Sequence, residues 1–303
     1  MDDLLYCDPG TFKEVSGIGS SASNHRKTRG PMSESILIEH EAGVATVTIN
    51  RPERMNGLTD EIMTTLPGHL RELASQPEVR CVMVTGAGER SFSAGADLGS
   101  GGPTDAVRGE GFAQAEAESE AGSDKLKRYH ETVWLLHSMP KPTLAAINGS
   151  AAGAGLGMAM ACDLRIAHEG AVFATAFARI GLSGDFGGSY FMTQLLGSAK
   201  ARELYLLGDR LDAEEALRIG LVQRVAPGDS FREQARALAQ RLADGPPLAY
   251  RYMKRNLNAA LVSDPRTVLD MEAEAMDYTS NSEDFRAAVD AFMNKKKPTF
   301  SGR

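Results

Sequence analysis

Cysteine is scarce. Only Cys7, Cys81 and Cys162 occur. They are too few and too far apart for a disulfide framework or a thiolate metal site, so a reducing, cytoplasmic setting is the default expectation. The six histidines (His25, His40, His69, His130, His137, His168) form neither H-x-x-H nor H-E-x-x-H, which removes the usual zinc signatures. Positive charge is in deficit. Lys and Arg number 33 against 40 Asp and Glu, for a net charge of −7, which speaks against a general nucleic-acid binder. No apolar run reaches membrane-spanning length, so no membrane partner is expected. The first residues lack a signal-peptide apolar core, and Asp2 and Asp3 oppose a transit peptide. The glycine cluster Gly153-Ala-Gly155-Leu-Gly157 lacks the G-x-G-x-x-G spacing, and no P-loop Gly-Lys-Ser/Thr is present.

What is there supports a sizeable core: 42% of the 303 residues are hydrophobic. Residues 1–31 differ from the rest, being Gly- and Ser-rich with a small basic cluster, and read as a disordered tail; Met32 offers an alternative start. Strand patterns at Ile36–Ile38 and Val44–Ile49 predict a hairpin across residues 39–43. Thr59 or Asp60 opens a helix to about Ala74, despite Pro67-Gly68. Cys81–Thr85 reads as a buried strand. Residues 99 to about 123 read as a mobile loop with a weak helix. Lys125–Ser138 predicts an amphipathic helix with Leu126, Tyr129, Val133 and Leu136 on one face. Helices stopped by Gly197 and Gly208 follow, then one opened by Asp212 and closed by Gly220, a strand at Leu221–Val225, and a helix capped by Ser230 with Glu233. From Pro246 on, about three helices are expected. The whole reads as α/β, with a core over residues 32–227 and a helical section over 228–303.

The most informative stretch runs from Lys141 to Leu196. Thr143–Ile147 predicts a strand that feeds a glycine-rich turn and then a small-residue helix ending near Cys162. Gly and Ala there permit close approach of another backbone or a ligand. A helix opening at such a turn presents free N–H groups to a developing negative charge. Tight helix–strand packing alone is the simpler alternative.

Taken jointly, several segments resemble the crotonase (enoyl-CoA hydratase/isomerase) superfamily. They are Ile49-Asn-Arg-Pro52, Phe92-Ser-Ala-Gly-Ala-Asp97, Lys141-Pro142 through Asn148-Gly149, Ala161-Cys-Asp163, Gly181, and Leu207-Gly-Asp-Arg through Gly220-Leu-Val222. The resemblance covers about residues 35 to 300. It implies a spiral of β-β-α units, a homotrimer or dimer of trimers formed through the helical 228–303 section, and the chemistry of fatty acid metabolism. It also implies an acyl-CoA thioester as partner, with no cofactor beyond the coenzyme A carried by the substrate. The oxyanion-hole donors it implies are the backbone N–H groups of Ala96 and Ala154, each worth roughly 10²–10³ in rate. Coenzyme A contacts are implied at Arg54, Ala94, Ala96, Asp97, Leu98 and Lys295, although exposed basic residues such as Arg54 and Lys295 are commonly just solvated.

The departure from the family pattern is equally informative. Hydratases of the family carry two glutamates, and by spacing these positions are Gly157 and Phe177 here. Hydration needs a base for water and an acid for the α-carbon, which neither residue supplies. Asp185, in Gly181-Leu-Ser-Gly-Asp-Phe-Gly-Gly188, matches the lone acid/base of a single-Asp isomerase branch. Its alternative role is to cap the helix that begins at Gly187 or Gly188. Three activities remain open. One is double-bond isomerisation through Asp185. Another is hydration (a lyase activity) through a different acid, such as Glu110, Glu116, Glu118 or Glu120. The third is acyl-CoA binding without catalysis. On the isomerase expectation, Gly157 vacates space for a bulky acyl group and Phe177 adds an aromatic wall.

Overall fold

The structure is a computed structural model that describes residues 35–97 and 112–303, with side chains from residue 122 in the second segment. The expected tail over residues 1–31, Leu98, most of the 99–123 loop, and the side chains of Glu110, Glu116, Glu118 and Glu120 lie outside the described residues.

Local chemistry sets most elements. β1 (Ile36–Glu41) and β2 (Val44–Ile49) pair antiparallel through Ala42-Gly43, both at positive φ (46° and 83°), a turn that matches strand twist. The hairpin is therefore tighter than the five-residue connection expected. α1 (Asp60–Ser75) opens where Thr59 accepts from the Ile62 amide, and it absorbs Pro67 without ending. β3 (Cys81–Gly86) and β4 (Ser91–Ser93) follow. α2 (Phe112–Ser138) starts well before the expected Lys125 and buries Tyr129, Val133 and Leu136.

β5 (Thr143–Ile147), β6 (Ser150–Ala152), α3 (Ala154–Ala161), β7 (Leu164–His168) and β8 (Val172–Ala174) come next. α4 (Gly188–Leu207) is broken at Gly197 (φ 77°, ψ 159°), so it comprises the two helices that its glycines predict. β9 (Leu211–Asp212) leads into α5 (Ala213–Arg218), capped by Asp212 accepting from the Glu215 amide at 2.8 Å. β10 covers Arg224–Ala226, three residues later than the expected start at Leu221, because Leu221 and Val222 are spent in the core instead. α6 (Phe231–Ala243) has Ser230 at its N-cap, yet the Ser230 hydroxyl donates to the Pro227 carbonyl rather than accepting a helix amide. α7 (Pro247–Ala260), α8 (Pro265–Ser280) and α9 (Glu283–Met293) complete the chain.

Two sheets organise these elements. One runs β1-β2-β3-β5-β7-β10, parallel except at β1–β2. The other runs β4-β6-β8-β9, parallel except at β8–β9. Alternate residues of the first sheet feed two cores. Val47, Ile49, Val84, Ala145 and Ile147 face the larger one with α1, α2 and α3; Val44, Met83, Leu144 and Ile166 face α6. The expected α/β spiral is thus present, with the short strands β4, β6, β8 and β9 forming a second sheet of their own.

Candidate active site

Two buried asparagines clamp the strand that leads to the first glycine turn. Asn56 and Asn148 both donate to the Ser91 carbonyl, at 2.6 and 3.1 Å. Beyond it, the Ala94 amide donates to the Met55 carbonyl, Gly95 to the Ser93 hydroxyl and Asp97 to the Leu58 carbonyl. Among the described residues the Ala96 N–H has no partner in this run. The second turn behaves alike. Gly153 donates to the Ala174 carbonyl, and the Ala154 amide, first in α3, is left without an intrahelical acceptor. The positive φ sits on Gly153 (50°), so Ala154 takes helical dihedrals and needs no glycine.

The turns abut. A Cβ on Gly95 would lie 3.2 Å from the Ala154 nitrogen, and one on Gly155 only 2.6 Å from the Ser93 Cβ and carbonyl oxygen. Glycine at 95 and 155 is what lets two backbones carrying open amides meet. Such a pair can hold a negatively charged oxygen.

Asp185 occupies a turn of three left-handed residues, Gly184 (φ 97°), Phe186 (49°) and Gly187 (66°). The carboxylate makes no cap bond. Gly187 holds the N-cap position of α4, and only the Asp185 backbone carbonyl accepts, from Gly188 at 3.0 Å. Asp185 Oδ1 is shielded from solvent and has no hydrogen-bond partner. Thr59, Asp212, Asp264 and Ser282 all do cap helices here, so the contrast is specific. Burial raises the Asp185 carboxyl above the usual Asp range, partly offset by His130.

Phe177 and Tyr205 join this turn to the amide pair. They stack at 6.2 Å between ring centroids. Phe177 lies 3.7 Å from where a Gly153 Cβ would stand and 3.2 Å from that of Gly184. Tyr205 Oη fills the place of a Gly188 Cβ, and burial followed by the Asp185 charge pushes the phenol up to about 12. The expectation that Gly157 vacates space is overturned. A Cβ there would lie 2.6 Å from the Phe186 carbonyl oxygen and 2.9 Å from its Cβ, so Phe186 already fills the volume. Phe177, 8% exposed, is mostly packed and not an open wall.

The basic residues divide. Asp97 turns inward and binds both Arg51 (2.9 Å) and Arg54 (3.2 Å), which makes it a brace for the first turn. The Arg54 side chain stays about half exposed, and Ala94 is exposed beside it. Lys295 is exposed at the end of α9, at φ 52°, and no hydrogen bond or ion pair ties its side chain to the other candidates among the described residues. Asp163, which follows α3, is structural: it pairs with Lys254 at 2.8 Å and accepts from the Thr143 amide at 2.7 Å. No His, Cys, Asp or Glu cluster among the described residues could hold a metal, and none of their helices is long and apolar enough to cross a membrane. A cavity of about 980 Å³ lies beneath α6 on the other face of the first sheet, apart from this site.

His130 and Tyr205 are the site neighbours that sequence patterns miss. His130 sits one residue after buried Tyr129, and nothing local marks it as facing Asp185.

Open amides on abutting glycine turns, with a shielded carboxylate nearby, define a protein able to stabilise an oxyanion and move a proton. Comparison with known proteins shows the family. The family model for enoyl-CoA hydratase/isomerase matches residues 39–303. The chain is 35% identical over 272 residues to 1,2-epoxyphenylacetyl-CoA isomerase of Escherichia coli, covering 90% of this chain and 100% of that protein. It is 33% identical to short-chain-enoyl-CoA hydratase of Clostridium acetobutylicum, covering 87% and 96%. The crystal structure of enoyl-CoA hydratase from Bacillus anthracis superposes with a TM-score of 0.81 at 30% identity, covering 89% and 100%. The chain belongs to the enoyl-CoA hydratase/isomerase family, the crotonase superfamily.

Proposed function

We propose that the protein is an acyl-CoA thioester isomerase that shifts a double bond. The Ala96 and Ala154 amides receive the thioester oxygen. The Asp185 carboxylate takes the α-proton, and the C–H electrons move through Cα to the oxygen, which becomes the enolate oxyanion held by the two amides. Asp185 then returns the proton at the γ-carbon, so one carboxyl serves both halves and no water is consumed. The observation that carries this reading is the Asp185 oxygen, shielded, unpartnered and free of any cap bond, beside a site with Gly157 and Phe177 in the two glutamate positions. The name of the Escherichia coli relative supports it. Arg54 is the proposed contact for coenzyme A phosphates, with Lys295 reaching a site from its end of the chain.

Hydration is the second reading. It is favoured by relatives named hydratases and by His130, a second titratable group within electrostatic reach of Asp185. Incubation with aliphatic and aromatic enoyl-CoA esters, read by product mass, separates the two: isomerisation leaves the mass unchanged and hydration adds one water. Formation of the hydrated product alone would overturn the isomerase reading.

A further inference from the structure

The turn that carries Asp185 is expensive to hold. Phe186 is a bulky residue at φ 49°, a strained conformation that persists only when surroundings enforce it. Three elements do so. Gly157 of α3 abuts the Phe186 carbonyl, Tyr205 of α4 fills the slot of Gly188, and His130 of α2 receives the Phe186 amide. Only the last is a directed bond from a side chain, Phe186 N–H to His130 Nε2 at 3.3 Å. The imidazole also meets the Phe186 ring edge-on, at 5.6 Å and 78°.

That bond fixes chemistry as well as place. An imidazole nitrogen that accepts an N–H carries its lone pair there, so this bond forms only while Nε2 is unprotonated. Protonating Nε2 would break the bond and set a cation beside Asp185. A cation there favours the ionised carboxylate and weakens it as a base.

We propose that His130 is a positioning residue for proton transfer: its Nε2 anchors the Asp185 turn by accepting the Phe186 amide. The proposal rests on the reading of Asp185 as the proton-transfer group.

The test is a double-mutant cycle on double-bond migration. His130→Phe keeps a ring against Phe186 and removes the acceptor; His130→Gln restores an acceptor at similar reach. His130→Phe should lower kcat by roughly 10–10²-fold with KM within about twofold, as expected for a misplaced catalytic group, and His130→Gln should recover most of the loss. In an Asp185→Asn background, His130→Phe should add nothing, because its effect passes through the carboxylate. Full activity of His130→Phe, or an undiminished further loss in the Asp185→Asn background, would overturn the proposal. Wild-type activity of Asp185→Asn itself would instead remove the reading of Asp185, whatever His130 does. Should His130→Phe fail to fold, nitrogen-15 NMR of the wild-type imidazole decides independently of turnover. The neutral Nδ1–H tautomer at neutral pH is expected, and an Nε2–H tautomer or an imidazolium would refute the assignment.

Discussion

At the residue scale, Asp185 is a carboxylate whose surroundings disfavour its charge, and two consequences follow. Asp185→Asn is nearly isosteric and removes a partly buried charge that makes no cap bond, so it should leave the melting temperature unchanged or raised while lowering turnover by roughly 10²–10⁴-fold. Loss of folding in this variant would show the carboxylate to be a structural tie instead. The second consequence concerns pH. Burial lifts the folded-state pKa above the unfolded one, so the protein binds this proton more tightly when folded. The resulting stabilisation is fully present below the ordinary Asp range and is lost as pH rises through the raised value. Catalysis needs the ionised form and runs the opposite way. The acid limb of kcat/KM should therefore lie above the ordinary Asp range of about 3.9. A limb at or below that value would contradict the shielding of Asp185.

At the element scale, α3 and its neighbours show what a sequence can and cannot reveal. The strands β2, β3 and β5, the Thr59 and Asp212 caps and the stops at Gly197 and Gly208 were legible because each rests on local pattern or backbone preference. The glycine turn ahead of α3 was legible for the same reason, whereas Ala96 and Ala154 as amide donors were implied only by the family resemblance. The three-residue strands β6 and β8 were not, since they exist only through pairing with distant β4, with each other and with β9. Ser230 fails as a capping residue although its spacing to Glu233 fits, because Pro227 claims its hydroxyl. The filling of the Gly157 site by Phe186, and the approach of His130 to Asp185, are tertiary facts with no local signal. The Gly157 contact yields a prediction. Gly157→Glu restores a hydratase-type residue by sequence, yet its Cβ would strike the Phe186 backbone, so overpacking should cost roughly 1–3 kcal/mol, displace the Asp185 turn and produce no hydratase. A stable variant that adds water to enoyl-CoA would disprove this packing argument. Lys254 on α7 makes a second case. Its buried ammonium binds Asp163 and the Leu136 and Lys141 carbonyls, tying the last helices to α2 and α3. Lys254→Met strands those acceptors and should cost on the order of 3 kcal/mol, measured by denaturant unfolding; a loss below about 0.5 kcal/mol would mean that apolar packing alone seats α7.

At the scale of the whole molecule, α7, α8 and α9 present more apolar surface than a lone chain comfortably leaves in water. Leu257 is 69% exposed, Met276 69% and Phe292 81%, and a groove of about 380 Å³ between α7 and α8 is lined by Tyr252, Met253, Leu257, Val268 and Met276. Contiguous apolar patches of this kind usually mark an interface. We propose that copies of this chain cover them, in trimers or pairs of trimers, as the family resemblance implies. The two substitutions Leu257→Glu and Phe292→Glu place charge on surfaces that the single chain already exposes, so they should not disturb its own core. In an assembly they would bury unpaired carboxylates at a cost of several kcal/mol each, enough to dissociate it. Sedimentation equilibrium at micromolar concentration should give a multiple of three for the wild type. Leu257→Glu and Phe292→Glu together should give a monomer with an unchanged far-ultraviolet spectrum. A monomeric wild type would end the proposal. A double variant that keeps the wild-type mass would place the contact away from α7 and α9, leaving the exposed apolar faces of these helices without a role in self-association.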